Sequence, residues 1–211
     1  MNRFFVQLEY DGSRYHGFQK QPKTSKTIQY NLDRALTKVA NHKISTICCG
    51  RTDAGVHAFN QFVHFDTNST RKIDSWVKGT NANLPDDIVV KNFFKVDTNY
   101  HARFDATARV YEYWLCQHKN TFLKDAAWLL YSILDFDLMN VAAEFLLEVN
   151  DFKSFSKLHS DVNTHICDVR KAMWEQRGDI WVFSIEADRF LRNMVRAIVG
   201  TLVDVGKGRI T

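Results

Sequence analysis

Apolar and polar positions alternate from Asn2 to Tyr10: Phe4, Val6, Leu8 and Tyr10 share one side, Arg3, Gln7 and Glu9 the other. A period of two predicts a strand with one buried face. Asp11-Gly12-Ser13 ends it, and a polar segment follows to Lys26. The spacing then becomes helical at Ile28, Leu32, Ala35, Leu36 and Val39. With Thr27 as N-cap it predicts a helix to about Ala40. Apolar runs at 44–49 and 61–65 predict two more strands. Asp74 is expected to cap a short helix holding Trp76 and Val77, and the turn Asn83-Leu84-Pro85-Asp86 leads into a strand over 88–96. The order β-α-β-β-α-β is that of a ferredoxin-like split unit.

After Val96 the pattern begins again. Residues 107–117, with Val110, Tyr113 and Leu115, predict a strong strand, whereas Trp128-Leu129-Leu130 fits strand or helix equally well. Asp137 is expected to cap an amphipathic helix with Met139, Ala142, Phe145, Leu146 and Val149 inward. Strands over 169–176 and 180–187 flank Arg177-Gly178-Asp179, a hairpin signal. A last helix is predicted over 190–205, with Gly206 as its C-cap. The second half thus reads β-α-β-β-α without a closing strand, and no sequence repeat links it to the first. An α+β fold of two halves, 1–105 and 106–211, with antiparallel pairing is expected.

Composition adds little to this until charge is placed along the chain. The 45% hydrophobic and 25% charged content of the 211 residues is ordinary for a globular protein. No apolar run reaches transmembrane length and no secretory signal opens the chain, so a cytoplasmic location without membrane attachment is expected. Cys48, Cys49, Cys116 and Cys167 show no C-x-x-C spacing, and vicinal Cys48-Cys49 reads as a pair of buried, reduced strand thiols. The net charge of +4 is uneven: residues 1–60 hold nine Lys or Arg against four acids, while the remainder is nearly balanced. A basic first third suits a phosphate backbone, and suits a solvated surface as well.

Candidate chemistry concentrates between two of the predicted strands, in Gly50-Arg51-Thr52-Asp53-Ala54-Gly55-Val56-His57-Ala58. A carboxylate two residues from an arginine, on a loop whose glycines permit close backbone approach, is a candidate reactive group; an ordinary Asx turn has the same composition. Upstream, Arg14 to Gln21 interleaves bases with Tyr15, His16 and Phe18, a mixture able to contact phosphate and stack on bases, although Phe18 is better suited to pinning the loop to the core. Tyr100 to Tyr111 adds Arg103, Arg109 and, entering the second half's first strand, Tyr111. In the last predicted helix Arg192 and Arg196 form an i,i+4 pair, with Arg196 expected to be partly buried and to need a carboxylate partner. No metal site is expected, because the spacings of known metal ligands are missing and His42, His118, His159 and His165 are scattered as surface residues would be. A nucleophile elbow, a P-loop and G-x-G-x-x-G are missing too.

These residues carry a resemblance. The Gly50 to Ala58 motif looks like the signature of the tRNA pseudouridine synthase A family, as do Leu8-Glu9-Tyr10-Asp11-Gly12, Tyr15-His16-Gly17-Phe18-Gln19, Tyr100-His101-Ala102-Arg103-Phe104 and Phe190-Leu191-Arg192-Asn193-Met194-Val195-Arg196 with Ile198-Val199-Gly200. The motifs fall in family order over nearly the whole chain. The resemblance implies the pseudouridine synthase fold, two ferredoxin-like α+β subdomains sharing a largely antiparallel sheet. It further implies that uridines 38, 39 and 40 in the anticodon stem-loop of tRNA are isomerised to pseudouridine, with no cofactor and no metal, by a homodimer. Asp53 becomes the essential aspartate, Arg196 its ion-pair partner, Tyr111 the ring against the target base, and Arg51 a residue assisting base flipping. Arg14, His57 and Arg103 join Arg51 and Tyr111 as candidate substrate contacts. The family pattern continues past Gly208-Arg209-Ile210-Thr211 with a helix and a closing strand, so the C-terminal closing elements are expected to be missing from this chain. Two rival readings remain: a non-catalytic RNA-binding protein of two ferredoxin-like halves, and an inactive truncated family member. An aspartate inside a basic surface speaks against the first, since it would repel phosphate.

Overall fold

A computed structural model describes residues 1–157 and 163–211; His159 lies outside the described residues. The chain divides into two compact units, Met1–Ala106 and Thr107–Thr211.

The first unit follows β1 (Asn2–Tyr10), α1 (Ile28–Ala40), β2 (Ile47–Cys48), β3 (Ala58–Thr67), α2 (Ile73–Asn81) and β4 (Ile88–Val96). The sheet order is β2-β3-β1-β4, with β1 antiparallel to both β3 and β4 and β2 antiparallel to β3. Each helix therefore crosses over one intervening strand, as a split βαβ requires. The alternation in β1 is read out directly, with Phe4, Val6, Leu8 and Tyr10 buried under α1 and α2. Phe4 stands opposite Phe65 in the register, and Trp76 of α2 packs on Phe65 at 5.4 Å and on Phe93 at 5.7 Å between ring centroids. Burying each such side chain stabilises the unit by about 1.5–3 kcal/mol. Thr27 caps α1 by accepting from the Tyr30 amide, and Asn41 ends it in the left-handed region. Asp74 is not the α2 cap: Lys72 holds that position without a side-chain hydrogen bond, and Asp74 sits in the first turn, where its charge suits the helix N-terminus. β2 is shorter than expected and β3 longer, because only two residues before the loop find partners on β3.

The second unit contains β5 (Arg109–Cys116), β6 (Trp128–Leu129), α3 (Phe136–Glu144), β7 (Val169–Arg177), β8 (Ile180–Ala187) and α4 (Met194–Gly206). Its sheet order is β6-β5-β8-β7. The ambiguous Trp128-Leu129 is a two-residue strand, parallel to the end of β5 at Leu115 and Cys116. The strands thus pair in two four-stranded sheets, one in each unit, antiparallel except for β6 on β5, in keeping with the expected α+β fold.

Four expectations in this unit are corrected. Asp135, not Asp137, caps α3 by accepting from the Leu138 amide, so that buried Phe136 is the first helical residue. After Glu144 the chain tightens into a 3-10 turn over Phe145–Leu147, and the shorter period turns Leu146 inward while Phe145 and Val149 stay exposed. α4 begins at Met194, after Asn193 in the left-handed conformation, so Arg192 precedes the helix and the Arg192–Arg196 helical pair does not form. Gly206 is the last helical residue, not a cap: a Cβ there would lie 2.4 Å from Met139 Sδ, so its value is close packing of α4 on α3. The positive φ falls at Gly208 instead.

The same side-chain device ties a helix to a strand in both units. Asn81 of α2 donates to the Val90 carbonyl and accepts from the Val90 amide, both at 2.8 Å. Asn140 of α3 does the same to Trp174, at 3.1 and 2.7 Å. Among the described residues no helix is long and apolar enough to cross a membrane.

Candidate active site

The Asp53 loop is fixed by backbone contacts made to it from two sides. At its start the Cys49 amide donates to the Phe62 carbonyl, and Gln61 of β3 donates to the Gly50 carbonyl at 2.6 Å. At its centre the Phe18 amide donates to the Thr52 carbonyl at 3.0 Å, the Tyr10 and Thr52 hydroxyls meet at 2.8 Å, and the Gly55 amide donates to the Tyr15 carbonyl. The Val56 amide returns to the Asp53 carbonyl and closes the turn. Two glycines of the facing segment make this approach possible. A Cβ on Gly12 would lie 2.0 Å from the Val56 carbonyl oxygen, and one on Gly17, whose φ is +93°, 2.8 Å from that of Thr52. Phe18 and Tyr15, both buried, pin the segment into the core. The result is a rigid backbone with the Asp53 side chain exposed. Among the described residues of this unit, none makes an ion pair or hydrogen bond with its carboxylate.

The basic candidates of the first unit separate into anchored and outward groups. Arg14 donates to Asp87 Oδ2 at 2.6 Å, while the Tyr15 hydroxyl donates to Oδ1 of the same carboxylate. Burial, followed by that Asp87 contact, pushes the Tyr15 phenol far up. Arg14 therefore helps seat the glycine-bearing segment, although its side chain stays 75% exposed. His57 Nδ1 lies 3.1 Å from Asp11 Oδ1, which also accepts from the Ser13 amide. Burial raises the Asp11 carboxyl, but the Ser13 hydrogen bonds with His57 and Arg14 nearby outweigh it and leave the group below its ordinary range. Arg51 and Arg103 are both exposed, and both act on the Cys48 thiol. Burial and neighbouring Cys49 push that thiol up to about 11 against the two guanidinium groups. Cys48 and Cys49 are half-buried thiols, less enclosed than strand thiols were expected to be.

In the second unit, Tyr111 on β5 is half-buried and meets Phe190 edge-on at 5.0 Å. Tyr113, two residues along the same face, also packs on the core, and its phenol is raised by burial while Arg196 draws it down. Arg196 thus stands in electrostatic reach of the Tyr111–Tyr113 face. It is exposed, not partly buried as expected, because Met194, Ile198, Val199 and Leu202 form the buried stripe of α4 and position 196 lies off it.

Asp53, Arg51, His57, Arg14 and Arg103 therefore belong to the first unit, and Tyr111 and Arg196 to the second. Sequence reasoning missed Asp87 and Gln61, polar residues next to a turn and inside a strand, whose contacts to distant backbone no local pattern announces. Among the described residues no three His, Cys, Asp or Glu side chains gather as a metal would require.

Comparison with known proteins agrees with the motifs. A family model described as tRNA pseudouridine synthase matches residues 7–105 and 142–211. The tRNA pseudouridine synthase A of Bacteroides thetaiotaomicron is 47% identical over 214 residues, taking in 100% of this chain and 79% of that protein. The tRNA pseudouridine synthase A of Parabacteroides distasonis is 45% identical, over 100% of this chain and 84% of its own length. That of Shewanella loihica is 44% identical, over 98% and 80%.

Proposed function

The chain belongs to the tRNA pseudouridine synthase family, and from that membership we propose that it isomerises uridine to pseudouridine in tRNA, at positions 38, 39 and 40 of the anticodon stem-loop. The observation that carries the reading is the Asp53 loop: a solvent-facing carboxylate on a backbone held by glycine-permitted contacts, flanked by exposed Arg51. The reaction breaks the N1–C1′ bond, turns the uracil and joins C5 to C1′; the C5 proton leaves and N1 gains one, so no co-reactant is consumed. A carboxylate starts it either by attacking C1′ or by acting as a base at the ribose.

A uridine stacked in an arm is out of reach, and extruding it costs a few kcal/mol. Arg51, Arg14, His57 and Arg103 are assigned to the RNA, with Arg51 assisting the flip. Tyr111, already braced by Phe190, is assigned to the extruded base, and Arg196 is assigned to catalysis. The active species is a cytoplasmic homodimer, with residues 1–105 and 106–211 as its two catalytic subdomains.

The test is incubation of the chain with unmodified tRNA, followed by mapping of pseudouridine. Wild type is expected to modify positions 38–40, and Asp53→Ala to bind tRNA without modifying it. Binding by wild type with no pseudouridine formed would instead identify a non-catalytic RNA-binding protein.

A further inference from the structure

His64 is a polar residue in the middle of β3, yet it is only 2% exposed. Its register partner is Phe5 of β1, whose ring stacks on it at 5.8 Å. It meets the His101 ring edge-on at 4.6 Å, and its Nδ1 accepts the Ala102 amide at 3.1 Å, joining residues 38 apart in sequence. This hydrogen bond is the base of a small folded tip. The His101 amide donates to Asp105 Oδ2, the Asp105 amide returns to the His101 carbonyl, and His101 Nδ1 accepts the amides of Arg103 and Phe104 at 3.2 and 3.3 Å. Arg3 holds the approach from below, donating to the carbonyls of Thr98 and Tyr100 while paired with Asp66.

Within this stack His64 is buried, Phe5 and His101 are half-buried, and the end is open. Phe104 lies on His101 at 4.3 Å but is 75% exposed, and the Arg103 guanidinium stands over its ring at 5.8 Å. A flat ring with a cation above it, offered to solvent, suits an unpaired base and its adjoining phosphate. The Arg103 guanidinium is also in electrostatic reach of the Cys48 thiol, which stands just before the Asp53 loop. Only an imidazole that keeps the Nδ1 lone pair can accept the Ala102 amide. Burial, Arg3 and His101 lower the His64 pKa to about 4 against the opposing pull of Asp66, so that lone pair is kept at neutral pH.

We propose that His64 is a positioning residue for substrate binding: through the Ala102 amide and the His101 ring it holds the Arg103–Phe104 tip in the geometry that contacts the RNA. The inference rests on the tRNA-modifying reading above, and the experiment separates the two. Apparent KM and kcat are measured on unmodified tRNA for wild type, His64→Asn, His64→Gln, His64→Leu, Phe104→Ala and the His64→Leu/Phe104→Ala double variant, with thermal melts of each. The Asn Oδ1 can replace Nδ1 as acceptor, whereas that of Gln is displaced by one methylene. His64→Asn is therefore expected to hold KM within about threefold, while Gln and Leu raise it about tenfold, the scale of one lost stacking contact, with kcat within about twofold. If the tip mediates the effect, the double variant is no worse than the poorer single one.

Wild-type KM in a folded His64→Leu, or fully additive losses in the double variant, overturns the inference and leaves the tRNA reading standing. Should His64→Leu fail to fold, the Asn and Gln variants decide, and equal KM values for them count against the proposal. Wild-type protein that neither binds nor modifies tRNA overturns the reading itself, and the inference with it.

Discussion

The two units supply their candidate groups by opposite physical means. The first presents Asp53 from a loop whose side chains are largely exposed and whose position is set by main-chain hydrogen bonds and by two glycines that admit another backbone. The second presents Tyr111 from the first half of a strand and Arg196 from the first turn of a helix, with position set by burial of the surrounding side chains. A catalytic carboxylate on a loop can be removed without touching the core, whereas a ring that is also packing cannot. Function and stability should therefore separate in the first unit and stay coupled in the second.

The largest effect that would sharpen this contrast is Asp53→Ala. Turnover is expected to fall by about a thousandfold or more, as for loss of an essential nucleophile or base. Unfolding free energy should stay within about 0.5 kcal/mol, because the side chain is exposed. Denaturant titration alongside the pseudouridine assay checks both, and a large loss of stability would break the comparison. Next comes Gly12→Ala, whose methyl must displace the Val56 carbonyl. A shift of the loop by about 1 Å should lower turnover about a hundredfold, and overpacking should cost about 1–3 kcal/mol. Gly50→Ala is the control, since a Cβ there meets nothing within 4 Å and both quantities should hold.

Tyr111→Ala is expected to cost about 1–3 kcal/mol by losing core packing and the Phe190 edge contact, in addition to any loss of turnover. A folded, equally stable Tyr111→Ala would show that the second unit, too, separates its functions. The smallest effect is a pH dependence read at two groups of the first unit. His64 has a folded pKa of about 4, below its ordinary 6.5, so its contribution is present above about pH 6.5 and is lost as pH falls toward 4. Asp33 runs the other way: burial raises its carboxyl to about 6 against the hydrogen bonds from Thr46, and stability is gained as pH falls through that value. Urea midpoints at pH 7.5 and 4.5 should fall less in His64→Asn than in wild type, and more in Asp33→Asn.

Element order, the buried face of β1, the α1 cap and the β7–β8 hairpin were legible in the sequence because each depends on residues close together in the chain. Boundaries failed where tertiary contacts overrode local signals. Asp137 and Asp74 are plausible caps, but the helices start where Phe136 and Ile73 fall. Gly206 resembles a terminator, yet its small size serves Met139. In the candidate site, the motif glycines could be identified but not what they face: that Gly12 answers Val56 and Gly17 answers Thr52 is a fact of the fold. Arg196 illustrates the opposite error, since apolar neighbours in sequence suggested burial and the helical phase turned the side chain outward.

The paired asparagines have a consequence for the sheets. β4 and β7 are the last strands of their respective orders, and Val90 and Trp174 are residues of those strands whose amide and carbonyl are both engaged by a helix side chain. An asparagine amide carries one donor and one acceptor side by side, the same pair a neighbouring peptide would offer. Asn81 and Asn140 thus act as single-residue counterfeits of a next strand, filling the hydrogen-bonding slots through which an exposed border would recruit another chain. In each unit one residue of an edge strand is closed from within, by one side chain borrowed from a helix.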